Sequence, residues 1–255
     1  MDTLIFMGEK YLVRLYQYRA KYLLKQSGGV LAVSALQRGF QSAERYRRWD
    51  GWSLSYSAIF QVAILIARGE VNRIVEFGAG FSTIALAEFL SQTAYSVTVD
   101  SFEHQAEYAV PLNANLSNSD VKLNCVNLLQ LDDERYVNLF TVSNPNEYFH
   151  TQSTAVPQER YGETRLRNAF YDYDYSQWPD TSVDLIILDG PNGNGRSIAF
   201  PLLRDVVRIP GWILIDDYLD YPFLDDLRKV FKFETIYQDR IAGKEHILVK
   251  VFERV

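Results

Sequence analysis

Five carboxylates stand at or near the C-terminal ends of short apolar runs: Glu76 in RIVEF, Asp100 in YSVTVD, Asp189 in VDLIILD, and the pair Asp216-Asp217 in WILIDD. Acids so placed can do three kinds of work. A carboxylate accepts hydrogen bonds from both hydroxyls of a ribose, takes a proton from a nucleophile, or ligates a hard divalent cation. Directly after Glu76 the chain reads FGAGFST. Gly78 and Gly80 permit backbone conformations and close approaches that a side chain would block. For any one acid the bland alternative is a helix N-cap or a solvated loop group. Five on one edge are harder to account for in that way.

The elements that would gather them follow from the hydrophobic rhythm. Apolar runs predict strands at 73–77, 95–100, 121–126, 183–189 and 212–217. Helical patterns fall at about 82–90, from Glu103 to Val110 ahead of Pro111, near 197–208 and near 222–230, with a turn at Pro210-Gly211. FETIYQD and EHILVKVFE predict a closing strand pair around a turn at Ala242-Gly243. Strands alternating with helices predict an α/β protein with a doubly wound, mostly parallel sheet covered on both faces. Ligands in such sheets bind beyond the carboxyl ends of the strands, where strand order reverses. Ahead of this core, residues 4–25, 30–48 and 53–69 repeat at helical spacing, the first stretch ending at Gly28-Gly29 and the last at Gly69. Residues 1–70 therefore read as an N-terminal helical extension packed on a core of 71–255, and the polar, aromatic stretch at about 141–180 reads as an insertion into it.

The glycine corner admits more than one cofactor. A dinucleotide fingerprint, G-x-G-x-x-G, would put its third glycine where Thr83 stands, and a carboxylate at Glu76 would sit poorly beside a pyrophosphate. It suits a cofactor with a cationic amino-acid tail and no phosphate. VEFGAGFST at 75–83 resembles the first motif of class I S-adenosylmethionine-dependent methyltransferases, an acid-x-G-x-G pattern, with Ser82 where a third glycine often stands. VDSFEHQAEY at 99–108 is similar to a segment of a bacterial small-molecule branch of that superfamily. The resemblance covers about residues 71–252. It implies a Rossmann-like methyltransferase fold with a seven-stranded sheet. It also implies S-adenosylmethionine as cofactor, with Glu76, Gly78, Gly80 and Ser82 around its methionine part, Asp100 on its ribose, Glu103 opening the next helix, and Asn127 beside its adenine.

The second half of the chain carries the remaining acids. If adjacent strands bring Asp189, Asp216 and Asp217 together, their charges need a proton or a cation between them, and Mg²⁺ or Ca²⁺ takes oxygen ligands of this kind. That order of acids resembles the catechol-type O-methyltransferases, where a metal lowers the pKa of a substrate hydroxyl. The chain departs from that family in having a tyrosine-rich insertion ahead of the fourth strand, and DGPNGNGR at 189–196 resembles members in which a metal is not assured. Asp189 is the candidate general base or metal ligand. His104 is a second proton acceptor, alternatively flanking adenine. His150 lies in the insertion and His246 in the last strand. Arg196 suits an anionic substrate group or a nearby acid. The tyrosines of the insertion form either a lid or a surface excursion packed on the N-terminal helices.

Composition narrows the classes. The chain has 26 Lys plus Arg against 32 Asp plus Glu, a net charge of −6, which gives no support for a nucleic-acid partner. The clusters Arg45 to Arg48, Arg160 to Arg167 and Arg228-Lys229 read as solvated faces. A single cysteine, Cys125, in an apolar run, forms no internal disulfide and reads as a small buried hydrophobe. No leader pattern opens the chain and no run approaches the length of a membrane span, so a cytoplasmic protein is expected. The expected function is methyl transfer from S-adenosylmethionine to a small molecule, with oxygen the favoured acceptor over nitrogen and a divalent metal as an optional aid. The alternatives are an NAD-dependent oxidoreductase or a non-catalytic cofactor-binding protein. The aromatic N-terminal helices serve either a homodimer interface or as cover for the site.

Overall fold

The computed structural model describes residues 2–46, 53–116, 120–241 and 244–255. Its strands are β1 (Arg73–Phe77), β2 (Thr98–Glu103), β3 (Val121–Cys125), β4 (Leu128–Gln130), β5 (Thr154–Ala155), β6 (Ala169–Tyr171), β7 (Val183–Leu188), β8 (Val207–Asp216), β9 (Phe231–Ile241) and β10 (Lys244–Arg254). The helices are α1 (Asp2–Ala43), α2 (Tyr56–Ala67), α3 (Phe81–Ser91), α4 (Ala106–Asn113), α5 (Asp133–Leu139), α6 (Pro145–Gln152), α7 (Ala199–Leu202) and α8 (Phe223–Arg228). Seven strands form one sheet in the order β3-β2-β1-β7-β8-β10-β9. The first five run parallel, and β10 pairs antiparallel with both β8 and β9. The predicted α/β sheet with its N-terminal helical extension is therefore present.

Strand alternation divides the apolar residues between two layers. In β7 every residue is buried. Leu185 and Ile187 join Ile74, Leu214 and Leu248 against α1, α2 and α3, while Ile186 and Leu188 join Val75, Phe77, Ile213 and Ile215 on the other face. That second face is covered by the aromatic residues between β4 and β7, with Phe149, Phe170, Tyr171, Tyr175 and Trp178 in one cluster with the strands. The tyrosine-rich stretch is thus neither a surface excursion nor packed on the N-terminal helices. Its strands β5 and β6 pair antiparallel with β4 in a small sheet, and its aromatic residues form part of one of the two hydrophobic layers.

Several local expectations shift. The two N-terminal helices form one element interrupted at Gly29, whose φ of 74° breaks the helical geometry. Pro111 lies inside α4, and Pro210-Gly211 lies inside β8. The helix expected near 197–208 is a 3₁₀ turn, Asn194–Ile198, followed by the four-residue α7. Cys125 is exposed at the end of β3. The turn at Ala242-Gly243 lies outside the described residues, as does the part of the basic cluster beyond Tyr46. Among the described residues no helix is long and apolar enough to cross a membrane.

Candidate active site

Strand order reverses between β1 and β7, and both strands end in glycine corners that touch. Gly78 adopts φ 96°, and a Cβ there would stand 2.7 Å from the Gly190 nitrogen and 2.8 Å from the Asp189 carbonyl carbon. Only a residue without a side chain fits. The Asp189 and Gly190 amides both donate to the Phe77 carbonyl, at 2.9 and 2.7 Å, and the Gly78 and Ala79 amides to that of Phe102. A Cβ on Gly80 would meet no heavy atom within 4 Å, so this glycine opens onto free space at the start of α3.

Glu76 is fully buried beneath this corner. Its carboxylate accepts from Ser82 Oγ at 2.5 Å, Thr83 Oγ1 at 2.6 Å and Ser101 Oγ at 2.5 Å. Thr83 Oγ1 also accepts from the Gly80 amide at 2.9 Å. Burial pushes the Glu76 carboxyl above the ordinary glutamate value, and the three hydroxyl donors oppose that shift. Glu76 and Ser82 do not line the cleft, so they hold the corner from behind. Thr83, the residue that departs from the dinucleotide pattern, joins the acid to the loop backbone.

At the next strand the acid expected to face the cleft is displaced. β2 runs three residues further than the apolar pattern implied, and Asp100 lies in its first half, level with Val75 rather than with the glycines. Its carboxylate pairs with Arg73, 3.2 Å away, at the start of β1. Glu103 ends the strand instead. Its Oε1 accepts from the His104 and Gln105 amides, each at 2.8 Å, and His104 Nδ1 lies 3.1 Å from the same oxygen. These contacts fall on one carboxylate oxygen and fix the group at the cleft wall.

A cleft of about 280 Å³ runs over this edge, lined by Gly78, Gly80, Glu103, His104, Tyr171 and Asp189 among others. Arg45, Tyr46 and Ser53, at the end of the N-terminal extension, wall its outer side. A second cavity of about 580 Å³ meets it at His104 and Gln105 and extends past Cys125 and Asn127 to Tyr161. Asn127 Oδ1 accepts from the Tyr161 hydroxyl at 3.2 Å, and that hydroxyl is also within reach of the Leu128 amide. The structure thus brings Gly78, Gly80, Glu103, His104 and Asp189 to one cleft and Asn127 to its neighbour.

The acids of β7 and β8 are not a ligand set. Among the described residues no three His, Cys, Asp or Glu side chains are arranged to hold a metal ion, which corrects the expectation for Asp189, Asp216 and Asp217. The cation between the two loops is Arg196, itself only 5% exposed. Its guanidinium donates to the Pro191 carbonyl at 3.1 Å and the Asp216 carbonyl at 2.8 Å, and lies 3.9 Å from the Asp217 carboxylate. Asp216 is fully buried. Arg196 is a bridge within the fold and not an open anion receptor.

A family model described as a methyltransferase domain matches residues 75–218, more than half of the chain and all of the cleft-bearing strand ends just described. The chain belongs to this methyltransferase family. It lies within the class I S-adenosylmethionine-dependent superfamily, as its motifs implied. Solved structures similar to this methyltransferase include an O-methyltransferase from Bacillus cereus in complex with SAH, at 15% identity over 86% of this chain and 91% of that one, TM-score 0.47. Others are the O-methyltransferase TomG from Streptomyces achromogenes in complex with SAM, at 15% over 86% and 90%, TM-score 0.46, and the SAH-bound methyltransferase PaMTH1 from Podospora anserina, at 13% over 86% and 88%, TM-score 0.47. No curated protein sequence matches this chain.

Sequence reasoning did not place Tyr171, Arg45 or Tyr46 at the methyltransferase cleft. Tyr171 was visible only as one of many tyrosines in a long polar stretch, and nothing local marked it as the one on a strand facing Gly190. Arg45 and Tyr46 were legible as a basic, aromatic helix end, but their place at the cleft depends on how α1 docks on α3. His150 lies in α6 with Nδ1 3.5 Å from Asp172, away from the cleft, and His246 is fully buried in β10.

Proposed function

We propose that this methyltransferase transfers a methyl group from S-adenosylmethionine to an oxygen of a small-molecule acceptor. The observation that carries the reading is Glu103. It is a carboxylate held at the end of the strand beside the glycine corner, with its backbone contacts on one oxygen and its side chain on the cleft. In this reading Glu103 holds the ribose hydroxyls, the role first expected of Asp100. Adenine lies toward Asn127 and the second cavity, and the sulfonium and amino-acid tail run the other way, over Gly78 and Gly80. The cradle fits: Gly80 faces open space, and a side chain at either glycine would intrude on the corner or the cleft.

The bound cofactor supplies an activated methyl group on a sulfonium. The chain's part is to align acceptor and methyl carbon and to take a proton. Asp189, on the cleft at the end of β7, is the candidate base. His104, wedged between Glu103 and Tyr161, flanks the ribose and adenine. No step is derived through Mg²⁺ or Ca²⁺, because the acids expected to bind it form no ligand cluster among the described residues and Arg196 lies beside Asp217. The likeness to catechol-type enzymes is then confined to the order of acids along the chain.

Calorimetry with S-adenosylmethionine and with NAD tests the proposal. Binding of the sulfonium and not of the dinucleotide is expected, with the affinity lowered about tenfold or more in Glu103→Gln. Binding of NAD alone would overturn it in favour of an oxidoreductase. A turnover assay over oxygen and nitrogen acceptors then separates an enzyme from a silent binder.

A further inference from the structure

Far from the cleft, α1 presents two different sides ahead of its break at Gly29. Ala20 and Leu24, one turn apart, are buried and join the hydrophobic layer that α1, α2 and α3 share with the sheet. Residues two positions away on a helix point to nearly the opposite side. There stand Tyr18, 73% exposed, and Tyr22, 56% exposed. Arg19, Lys21 and Lys25 are exposed around the two rings. Lys21 and Lys25 are themselves one turn apart, a like-charge spacing that costs helix stability until an anion offsets it. No Asp or Glu stands three or four positions from any of the three cations.

Elsewhere the chain pairs its cations with acids. Arg160 lies 2.9 Å from Glu163, Arg208 3.0 Å from Asp184, Lys229 2.6 Å from Asp226 and Lys232 2.6 Å from Glu253. Arg19, Lys21 and Lys25 make no ion pair among the described residues. The sequence around them runs against the rest of the chain. Residues 2–28 hold Lys10, Arg14, Arg19, Lys21 and Lys25 against Asp2 and Glu9, in a chain whose acids outnumber its bases by 32 to 26. More than half of the same stretch is apolar or tyrosine.

A basic helix with aromatic rings between its cations, and an acidic body behind it, is complementary to an anionic surface. Neither cavity of the molecule reaches this side of α1, so it offers no pocket for a partner's side chain. Lipid headgroups need none. Tyrosine rings settle at their level, while long Lys and Arg side chains reach the phosphates. A second copy of the chain is the poorer occupant, because a two-fold contact through this side sets the same three cations against themselves. We propose that the Tyr18 and Tyr22 side of α1 docks on anionic phospholipid headgroups and holds the methyltransferase at a membrane surface. The helix lies on the surface and does not cross it, as no helix among the described residues is long and apolar enough to span.

Vesicle co-sedimentation of the full chain tests this. The vesicles are phosphatidylcholine alone, and phosphatidylcholine with about one-third phosphatidylglycerol. The wild type should pellet with the anionic vesicles only, and raising salt from about 0.1 M to about 0.5 M should release it. Lys21→Gln/Lys25→Gln removes two charges from the surface contact and should lower partitioning by about tenfold or more. Tyr18→Gln/Tyr22→Gln keeps the cations and should lower it severalfold. All four positions are exposed, so the melting temperatures should stay within about 2 °C of the wild type. Lys229→Gln, which removes a cation already paired with Asp226, should bind as the wild type does. No binding to anionic vesicles, equal binding to neutral ones, or unchanged binding of either double variant would overturn the proposal. A wild type that light scattering shows to be a dimer, and that Tyr18→Gln/Tyr22→Gln turns into a monomer, would overturn it in favour of a second copy.

Discussion

The ends of β1 and β8 both carry acids, and they use them in opposite ways. Glu76 is neutralised locally: two of its three donors come from the first turn of its own following helix, and the third from the neighbouring strand. Asp217 is faced from a distance by Arg196, which reaches across from the loop after β7 and also donates to the backbone carbonyl of Asp216. In neither case does the acid line the cleft. Glu103 does line it, and its donors include the two backbone amides directly after it. A carboxylate at a strand end is therefore no guide to a ligand by itself. What decides is whether the neighbouring chain has already supplied enough donors to consume it.

The largest break in this comparison should come at the glycine corner. Gly78→Ala requires φ near 96° for an L-residue and drives a Cβ into the backbone of Asp189 and Gly190. A loss of about 2–4 kcal/mol is expected in urea unfolding. Gly80→Ala is the contrast, because its Cβ meets nothing within 4 Å. It should cost under about 1 kcal/mol in stability while reducing S-adenosylhomocysteine affinity. Equal stability losses at the two positions would mean that the corner is not held by the contact between the glycine loops.

Arg196→Met asks whether the β7 and β8 acids depend on a protein cation. It removes a buried guanidinium from two carbonyls and from Asp217, and about 2–3 kcal/mol should be lost. Millimolar Mg²⁺ should not restore the unfolding midpoint. Restoration by Mg²⁺, abolished by Asp189→Asn, would return the acids to the role of metal ligands.

Glu76→Gln should cost less, about 1–2 kcal/mol, since the amide keeps one acceptor for the three hydroxyls. Its pH dependence is more telling than its size. The folded-state pKa of Glu76 is raised, so the folded form holds its proton more tightly than the unfolded chain. That contribution to stability is fully present below the unfolded value, near 4.5, and is lost as pH rises through the folded one. The wild type should therefore lose stability relative to Glu76→Gln on going from about pH 4 upward. Unfolding midpoints measured in parallel across pH 4–8 check this, and parallel curves would mean that the hydroxyls offset burial completely.

Much of the fold was legible because it depends on local pattern. RIVEF is β1 to the residue, and VDLIIL reads as a central strand because both faces are covered. The glycine corner was legible for the same reason. Tertiary decisions were not. The small sheet of β4, β5 and β6 has strands of two or three residues, too short for a period to register. Polar Ser101 and acidic Glu103 hid the true end of β2, since Ser101 is buried only because Glu76 needs a donor. The same misplaced strand end separates the expected ribose acid, Asp100, from the proposed one, Glu103. Asp100 looked like the strand's last residue, because the apolar alternation stops there and nothing in the sequence says that Arg73 will claim it.

That displacement gives the smallest expected effect and the sharpest comparison. Asp100→Asn removes a partly buried ion pair with Arg73, 3.2 Å long, and should cost about 1 kcal/mol in stability. It should not change S-adenosylhomocysteine affinity, because its carboxylate is turned to the start of β1 and away from the glycine corner. Glu103→Gln should lower that affinity by about tenfold or more with little change in midpoint, as the amide keeps an oxygen for the His104 and Gln105 amides but offers a weaker acceptor to a ribose. The two variants differ from wild type by one atom each and lie three residues apart on one strand. If the loss of affinity follows Asp100 instead, the ribose belongs further back along β2, and the cleft at Glu103 holds some other part of the ligand.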